Sequence, residues 1–183
     1  LCDKIRTISP SKPFLRWVPV MTHTDITFHS QTFGRLPFEA ALAEIVAFVK
    51  KEPGRFYKII IGTDSDASSP VALITAVTVW RVGNGAIHFW TKSPEYTFAA
   101  LHNRIWQEAI NSITLAQEVR SRLQELLGDE FFWDGNEIHV DIGRNGPTKD
   151  LIDGVVGMIK GYNFTPVIKP YSFGASVVAD RHT

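Results

Sequence analysis

Ile59-Ile60-Ile61 is the most restrictive stretch of this chain, three consecutive β-branched apolar residues within Tyr57–Thr63, followed at once by Gly62-Thr63-Asp64-Ser65-Asp66. A strand with apolar side chains on both sides needs both of its faces covered, which predicts a position inside a layered sheet rather than on a solvent-facing one. The rest of the pattern agrees. Pro37 suits the first turn of a helix, and Phe38–Lys51 places Leu42, Ile45, Val46 and Val49 on one face, with Pro53-Gly54 ending it. Val71–Val82 and Ala86–Thr91 read as a hairpin about Gly83-Asn84-Gly85.

Ser93-Pro94-Glu95 combines the hydroxyl, proline and acid of a helix start, and the helical pattern then runs to Leu127, where Gly128 can stop it. Ile138–Ile142 and Phe164–Ile168 read as strands flanking a helix with Leu151, Ile152, Val155, Val156 and Ile159 on its apolar side, Thr148 as its cap and Gly161 at its end. Ala175–Thr183 forms a short terminal helix or tail. This order predicts an α/β fold, a five-stranded mixed sheet with helices packed on it, as a single domain over residues 31–183. Residues 1–30, with Pro10, Pro13 and Pro19 among Phe14, Leu15, Trp17 and Val18, read as an extended arm suited to packing on its own domain or on a neighbouring subunit, hence a homo-oligomer contact.

Composition narrows the function classes. A length of 183 residues with 44% apolar content fits one domain with a proper core. Cys2 is the single cysteine, which excludes an intramolecular disulfide framework and a multi-cysteine zinc site and fits a reducing cytoplasm. No run approaches the ~18 apolar residues of a membrane span, and no secretory pattern opens the chain, so the expectation is a soluble cytoplasmic protein without a membrane partner. His23 and His29 lie in or near the arm, His88, His102 and His139 are dispersed, and no His-Glu-x-x-His pattern exists, so zinc-hydrolase chemistry finds no support.

Five acids, at four places in the chain, stand out. Asp64 and Asp66 follow the most hydrophobic strand, near a strand end where ligand crevices form. As caps of a Gly/Asp/Ser turn they would be unremarkable, but Asp64 abuts a fully apolar strand, where a carboxylate is costly without a partner or cation. Glu108 falls on the stripe Leu101, Ile105, Ser112, Leu115, Val119 of the long helix, so it faces inward, with Arg104 four residues earlier as the ordinary ion-pair explanation. Asp141 sits inside Ile138-His139-Val140-Asp141-Ile142, ahead of a glycine-containing loop. Asp180 lies in Val177-Val178-Ala179-Asp180-Arg181-His182. Each is a weak signal alone; together they form a carboxylate constellation distributed over a strand, the long helix, a later strand and the last element.

The runs Ile60-Ile61-Gly62-Thr63-Asp64-Ser65, Asp141-Ile142-Gly143, Thr148-Lys149-Asp150-Leu151-Ile152 and Ile168-Lys169-Pro170-Tyr171, followed by Ala175-Ser176 and Ala179-Asp180-Arg181-His182, resemble the YkuK family of uncharacterised ribonuclease H-like proteins. The resemblance covers roughly Phe28 to Thr183, and its C-terminal motif is the most specific part. It implies a ribonuclease H-like fold and, by wider analogy, a two-metal nuclease site in which Asp64, Glu108, Asp141 and Asp180 hold two divalent cations, Mg²⁺ or Mn²⁺, with Asp66 as an additional ligand. The implied reaction is phosphodiester hydrolysis on RNA, DNA or a hybrid, with the ions ~3.5–4 Å apart and held by oxygen ligands. His182 would shuttle a proton. Arg144 and Lys149, with Asn145, Gly146 and the free N–H groups near Thr148, make a phosphate-binding corner, and Lys169 and Tyr171 line the same cleft.

The competing expectation is a binding module of the same fold that recognises nucleic acid or another partner without cleaving it. A formal net charge of zero, 19 Lys+Arg against 19 Asp+Glu, argues against bulk electrostatic attraction to nucleic acid. Setting aside Asp64, Asp66, Glu108, Asp141 and Asp180 leaves 14 acids against 19 bases, or +5, so the neutral total is compatible with a basic rim around an acidic cleft.

Overall fold

A computed structural model describes residues 26–129, 136–146, 148–174 and 179. The isoleucine run forms β3 (Tyr57–Asp64), which pairs antiparallel with β4 (Val71–Arg81), and β4 pairs antiparallel with β5 (Ala86–Tyr96) around the predicted Gly-Asn-Gly turn. On its other side β3 pairs in parallel with β6 (Asn136–His139), and β6 in parallel with β7 (Thr165–Val167). β1 (Thr27–Ser30) joins β5 and carries β2 (Gly34–Pro37), which gives the order β2-β1-β5-β4-β3-β6-β7. Among the described residues the helices are α1 (Phe38–Lys50), α2 (Leu101–Leu127) and α3 (Ile152–Gly161).

β3 is covered on both sides, as its sequence requires. Ile59 and Ile61 join Val77, Val79 and Ile138 in one cluster with Leu42 and Ile45 of α1, Ile105, Val119 and Leu123 of α2, and Val155 and Ile159 of α3. Alternate strand residues share a face, so the three helices form a layer on one side of the sheet. Ile60 points to the opposite side and is equally buried. There a Cβ on Gly174 would stand 2.6 Å from Ile60 Cγ2, so the backbone at Gly174 lies directly on the strand. Ile74 and Ala76 on this side pack with Ala179 and Trp90. Each fully buried isoleucine contributes about 1.5–3 kcal/mol to stability.

The structure corrects the sequence reading in three places. The sheet has seven strands, not five. The two additional strands are four residues each, too short for alternation to show, and β1 lies within the stretch read as an arm, held there by Phe28 stacked on Phe38 at 6.0 Å and edge-on to Phe89 at 6.2 Å. Residues 1–25, the remainder of that arm, lie outside the described residues. Ser93-Pro94-Glu95 does not start a helix; β5 runs through it to Tyr96, and α2 begins at Leu101. The strand accepts Pro94 because the register shifts between Ala72 and Ile74, and the Leu73 N–H there finds the Ser93 hydroxyl at 2.9 Å in place of a ladder carbonyl. Thr148 forms no side-chain cap; a 3-10 turn over Lys149–Leu151 precedes α3, and the Thr148 hydroxyl accepts from the Gly143 N–H at 3.4 Å.

Candidate functional site

Two of the acids are set by strand register. Gly62 of β3 pairs with His139, the last residue of β6, and two residues further along come Asp64, which ends β3, and Asp141, just past the end of β6. Crevices for ligands form at such ends in α/β sheets. Glu108 reaches the same place from α2, where it is buried together with Ile105, Ser112, Leu115 and Val119. Three hydroxyls lock helix to sheet at that point. The Ser112 hydroxyl donates to the Glu108 carbonyl at 3.0 Å, so its oxygen accepts from Thr63 at 2.7 Å, and Thr63 in turn accepts from Thr75 at 3.0 Å.

Asp64, Glu108 and Asp141 thus line one concavity of about 270 Å³, with Ser65, Arg104, Asn145, Thr148 and Lys169 on its wall. Glu108 accepts from the Ser65 hydroxyl at 2.5 Å and stands 3.9 Å from Arg104 Nε, so the expected ion pair exists, but loosely. Burial, followed by the charges of Asp64 and Asp141, pushes the Glu108 carboxyl up to about 8, against the opposing pull of Ser65 and Arg104. Asp141 Oδ2 takes Lys169 Nζ at 2.8 Å, whereas Oδ1 is buried with no hydrogen-bond partner among the described residues.

An orphaned carboxylate oxygen and a carboxyl held protonated by burial, with a further push from its acidic neighbours, describe a pocket short of positive charge. Its donors are all oxygen, the kind that hard divalent cations take. The residues fit such an ion in chemistry, although among the described residues no group of three His, Cys, Asp or Glu stands close enough to enclose one as placed.

The remaining candidates divide. Lys169 lines the concavity. Asp66 does not: it is exposed, and its Oδ1 accepts from the Ser68 N–H at 2.6 Å, capping the turn after β3. Arg144, Lys149 and Tyr171 are exposed and outside the lining, although Asn145 and Thr148 of the same corner are within it. Asp180 and His182 lie outside the described residues.

A family model described as ribonuclease H-like matches residues 40–183. The chain is also 30% identical over 168 residues to the uncharacterized protein YkuK of Bacillus subtilis (strain 168), an alignment spanning 85% of this chain and 96% of that protein. The chain belongs to the YkuK family of ribonuclease H-like proteins. Membership of the ribonuclease H-like group supports a nuclease or nucleic-acid-binding role. Among the described residues no helix is long and apolar enough to cross a membrane.

Within this concavity, the sequence reading gave no role to Ser65, and it considered Arg104 only as a partner for Glu108. Ser65 follows Asp64 at the strand end with its side chain turned to the opposite side, toward α2, a placement that depends on where α2 lies and so does not show in the sequence. His139, which the sequence left among dispersed histidines, is buried and binds the segment after β7. Its Nδ1 accepts from the Gly174 N–H at 3.0 Å, so the ring proton sits on Nε2 and is donated to Glu137 at 3.1 Å. Glu137 also takes Lys58 Nζ at 2.5 Å. Burial holds the His139 imidazole below its usual range, and it is neutral near pH 7.

Proposed function

We propose that this chain is a divalent-metal-dependent nuclease that hydrolyses phosphodiester bonds by a two-metal mechanism, with Mg²⁺ or Mn²⁺ held by Asp64, Glu108, Asp141 and Asp180. The observation that carries the reading is the convergence of three carboxylates, from the end of β3, the segment just after β6 and α2, on one concavity in which Asp141 Oδ1 has no partner among the described residues. When bound, such cations stabilise charge on the phosphoryl group and make water acidic enough to attack near neutral pH.

The chain's own residues do the rest. Ser65 fixes the Glu108 carboxylate by its 2.5 Å hydrogen bond, and the Ser112–Thr63–Thr75 hydroxyls fix the helix that carries it. Lys169 and Arg104 line the concavity as cations able to receive the phosphate's negative oxygens once ligands occupy the acids. Thr148 and Asn145 supply the polar wall beside them, with Arg144, Lys149 and Tyr171 reaching the strand further out. His182 passes the proton to the leaving oxygen as the phosphorus–oxygen bond breaks.

A non-catalytic nucleic-acid-binding module of the same fold is the second reading, favoured by the Lys169–Asp141 pair, in which a side chain already answers one acid. Calorimetric titration of Mg²⁺ and Mn²⁺ into wild type and Asp64→Asn, with a nuclease assay alongside, separates the two. The nuclease reading expects ion binding by wild type, weakened by the substitution, and metal-dependent cleavage. If wild type binds neither ion and Asp64→Asn is as stable as wild type or more so, the binding module stands.

A further inference from the structure

A second concavity, of about 290 Å³, adjoins the acidic one and shares Arg104 and Leu101 with it. Its wall is Phe98, Val71, Leu101, Ser68, Ser69 and Arg104, an apolar surface with a few polar groups at one side, the usual chemistry of a small-molecule subsite. Apart from Arg104, loosely paired with Glu108, and Leu101, these residues lie outside the lining of the acidic concavity.

Two features prepare it for a ligand. Phe98 is only partly buried, and its ring is backed by Tyr96 at a centroid distance of 6.1 Å, which limits its freedom while leaving ring surface on the concavity. Arg104 spans both hollows. Its Nη1 is tied to the Asp66 carbonyl at 2.5 Å, which fixes the guanidinium plane, while its Nε is buried and donates no hydrogen bond among the described residues. A guanidinium held in this way presents charge to a phosphate lying between the two hollows, and the aromatic ring lies on the side away from the acids.

We propose that this concavity is a nucleobase subsite, holding the base of the nucleotide adjacent to the phosphate at Asp64, Glu108 and Asp141, and that the preferred ligand is therefore single-stranded nucleic acid. The inference rests on the nucleic-acid reading above and extends it to strandedness. A base in a duplex has both π-faces covered by its neighbours, whereas an unpaired base can be stacked on a protein ring, an interaction largely indifferent to which base it is. The subsite selects strandedness and not sequence.

The test is fluorescence anisotropy at low salt in EDTA, so that binding is read without cleavage, using a labelled single-stranded hexanucleotide and a labelled hairpin duplex. Proteins are wild type, Phe98→Ala, Phe98→Leu and Phe98→Trp, each checked for an intact thermal transition. Loss of one stacked base is expected to weaken single-strand binding about 5- to 150-fold in Phe98→Ala. Phe98→Leu, which keeps the apolar bulk but not the ring, should lose most of that affinity, and Phe98→Trp should retain it; hairpin binding should be weaker in wild type and unmoved by all three. Single-strand binding that is indifferent to Phe98, or equal affinity for strand and hairpin, overturns the subsite while leaving a nucleic-acid role in place. If wild type binds neither probe, in EDTA or with Mn²⁺ restored, the nucleic-acid reading falls and the subsite with it.

Discussion

Replacing Glu108 by Gln removes a charge that the fold holds at a disadvantage, and the size of the effect follows from where that carboxyl titrates. In the unfolded chain it ionises near 4.5, and in the folded protein near about 8, because it is buried beside Asp64 and Asp141. Between those values folding takes up a proton, so the unfolded state binds fewer protons than the native state and stability falls as pH rises. One unit corresponds to about 1.4 kcal/mol, so the interval of roughly 3.5 units amounts to about 5 kcal/mol in full, and about 3 kcal/mol at pH 7. Gln resembles the protonated acid and still accepts from Ser65. Glu108→Gln should therefore match wild type near pH 4, exceed it by about 1 kcal/mol at pH 5, by about 3 kcal/mol at pH 7 and by more at pH 9, measured by denaturant unfolding in EDTA. Taking the difference between variant and wild type cancels other titrating groups. The same proton links to metal: Mn²⁺ at about 100 times its Kd should stabilise wild type by about 2.7 kcal/mol and expel a proton at pH 7, seen as buffer-dependent heat in calorimetry, with both effects reduced in Glu108→Gln. A variant-minus-wild-type difference that stays flat from pH 5 to pH 9 would refute the argument that the acids face one another in a shared low-dielectric pocket.

Other tests follow from single contacts. Gly174→Ala pushes a Cβ to 2.6 Å from Ile60 Cγ2 and 3.2 Å from His139 Nδ1, so it should cost about 1–3 kcal/mol by chemical denaturation, partly relieved by Ile60→Val. His139, neutral and buried, has a folded pKa below its unfolded value, so its contribution to stability is lost as pH falls below about 6.5; His139→Gln should flatten that part of the profile in a Glu108→Gln background. Ser112→Ala and Thr63→Val should each cost about 1–3 kcal/mol by leaving a buried hydroxyl unpaired, and the double variant less than their sum, as a double-mutant cycle reads. Lys169→Ala breaks an ion pair whose lysine is half exposed, so it should change stability by less than about 1 kcal/mol while altering metal affinity in calorimetry.

Legibility in the sequence tracked how local each cause was. Glu108 could be placed because a helical stripe is a local pattern and a carboxylate on an apolar stripe is conspicuous. Asp64 could be placed because the isoleucine run leaves no doubt about its strand. Ser93-Pro94-Glu95 misled because its helix-start chemistry is local, whereas the bulge that admits the proline, Ser93-Pro94 facing Leu73, exists only through pairing with another strand. Asp66 and Ser65 could not be separated, since the turn that sends one carboxylate to Ser68 and the adjacent hydroxyl to Glu108 depends on where α2 lies. His139 was opaque for the same reason: its partners are Glu137 and Gly174, the second 35 residues away.

The pairing of β3 with β6 has a consequence for how errors in folding would show themselves. β4 follows β3 directly and can zip to it early, but β6 must return across the whole of β4, β5 and α2 before Ile61 meets Ile138, a closure of low probability that slows assembly. Side chains along a strand alternate, so a slip of one residue in that single pairing would turn Asp141 away from Asp64 and simultaneously expose Ile138. The hydrophobic partner and the acidic partner are thus spaced on one ruler. A chain that has buried its core correctly has, by the same act, aligned its carboxylates, and quality control that discards exposed isoleucine would also discard misaligned sites.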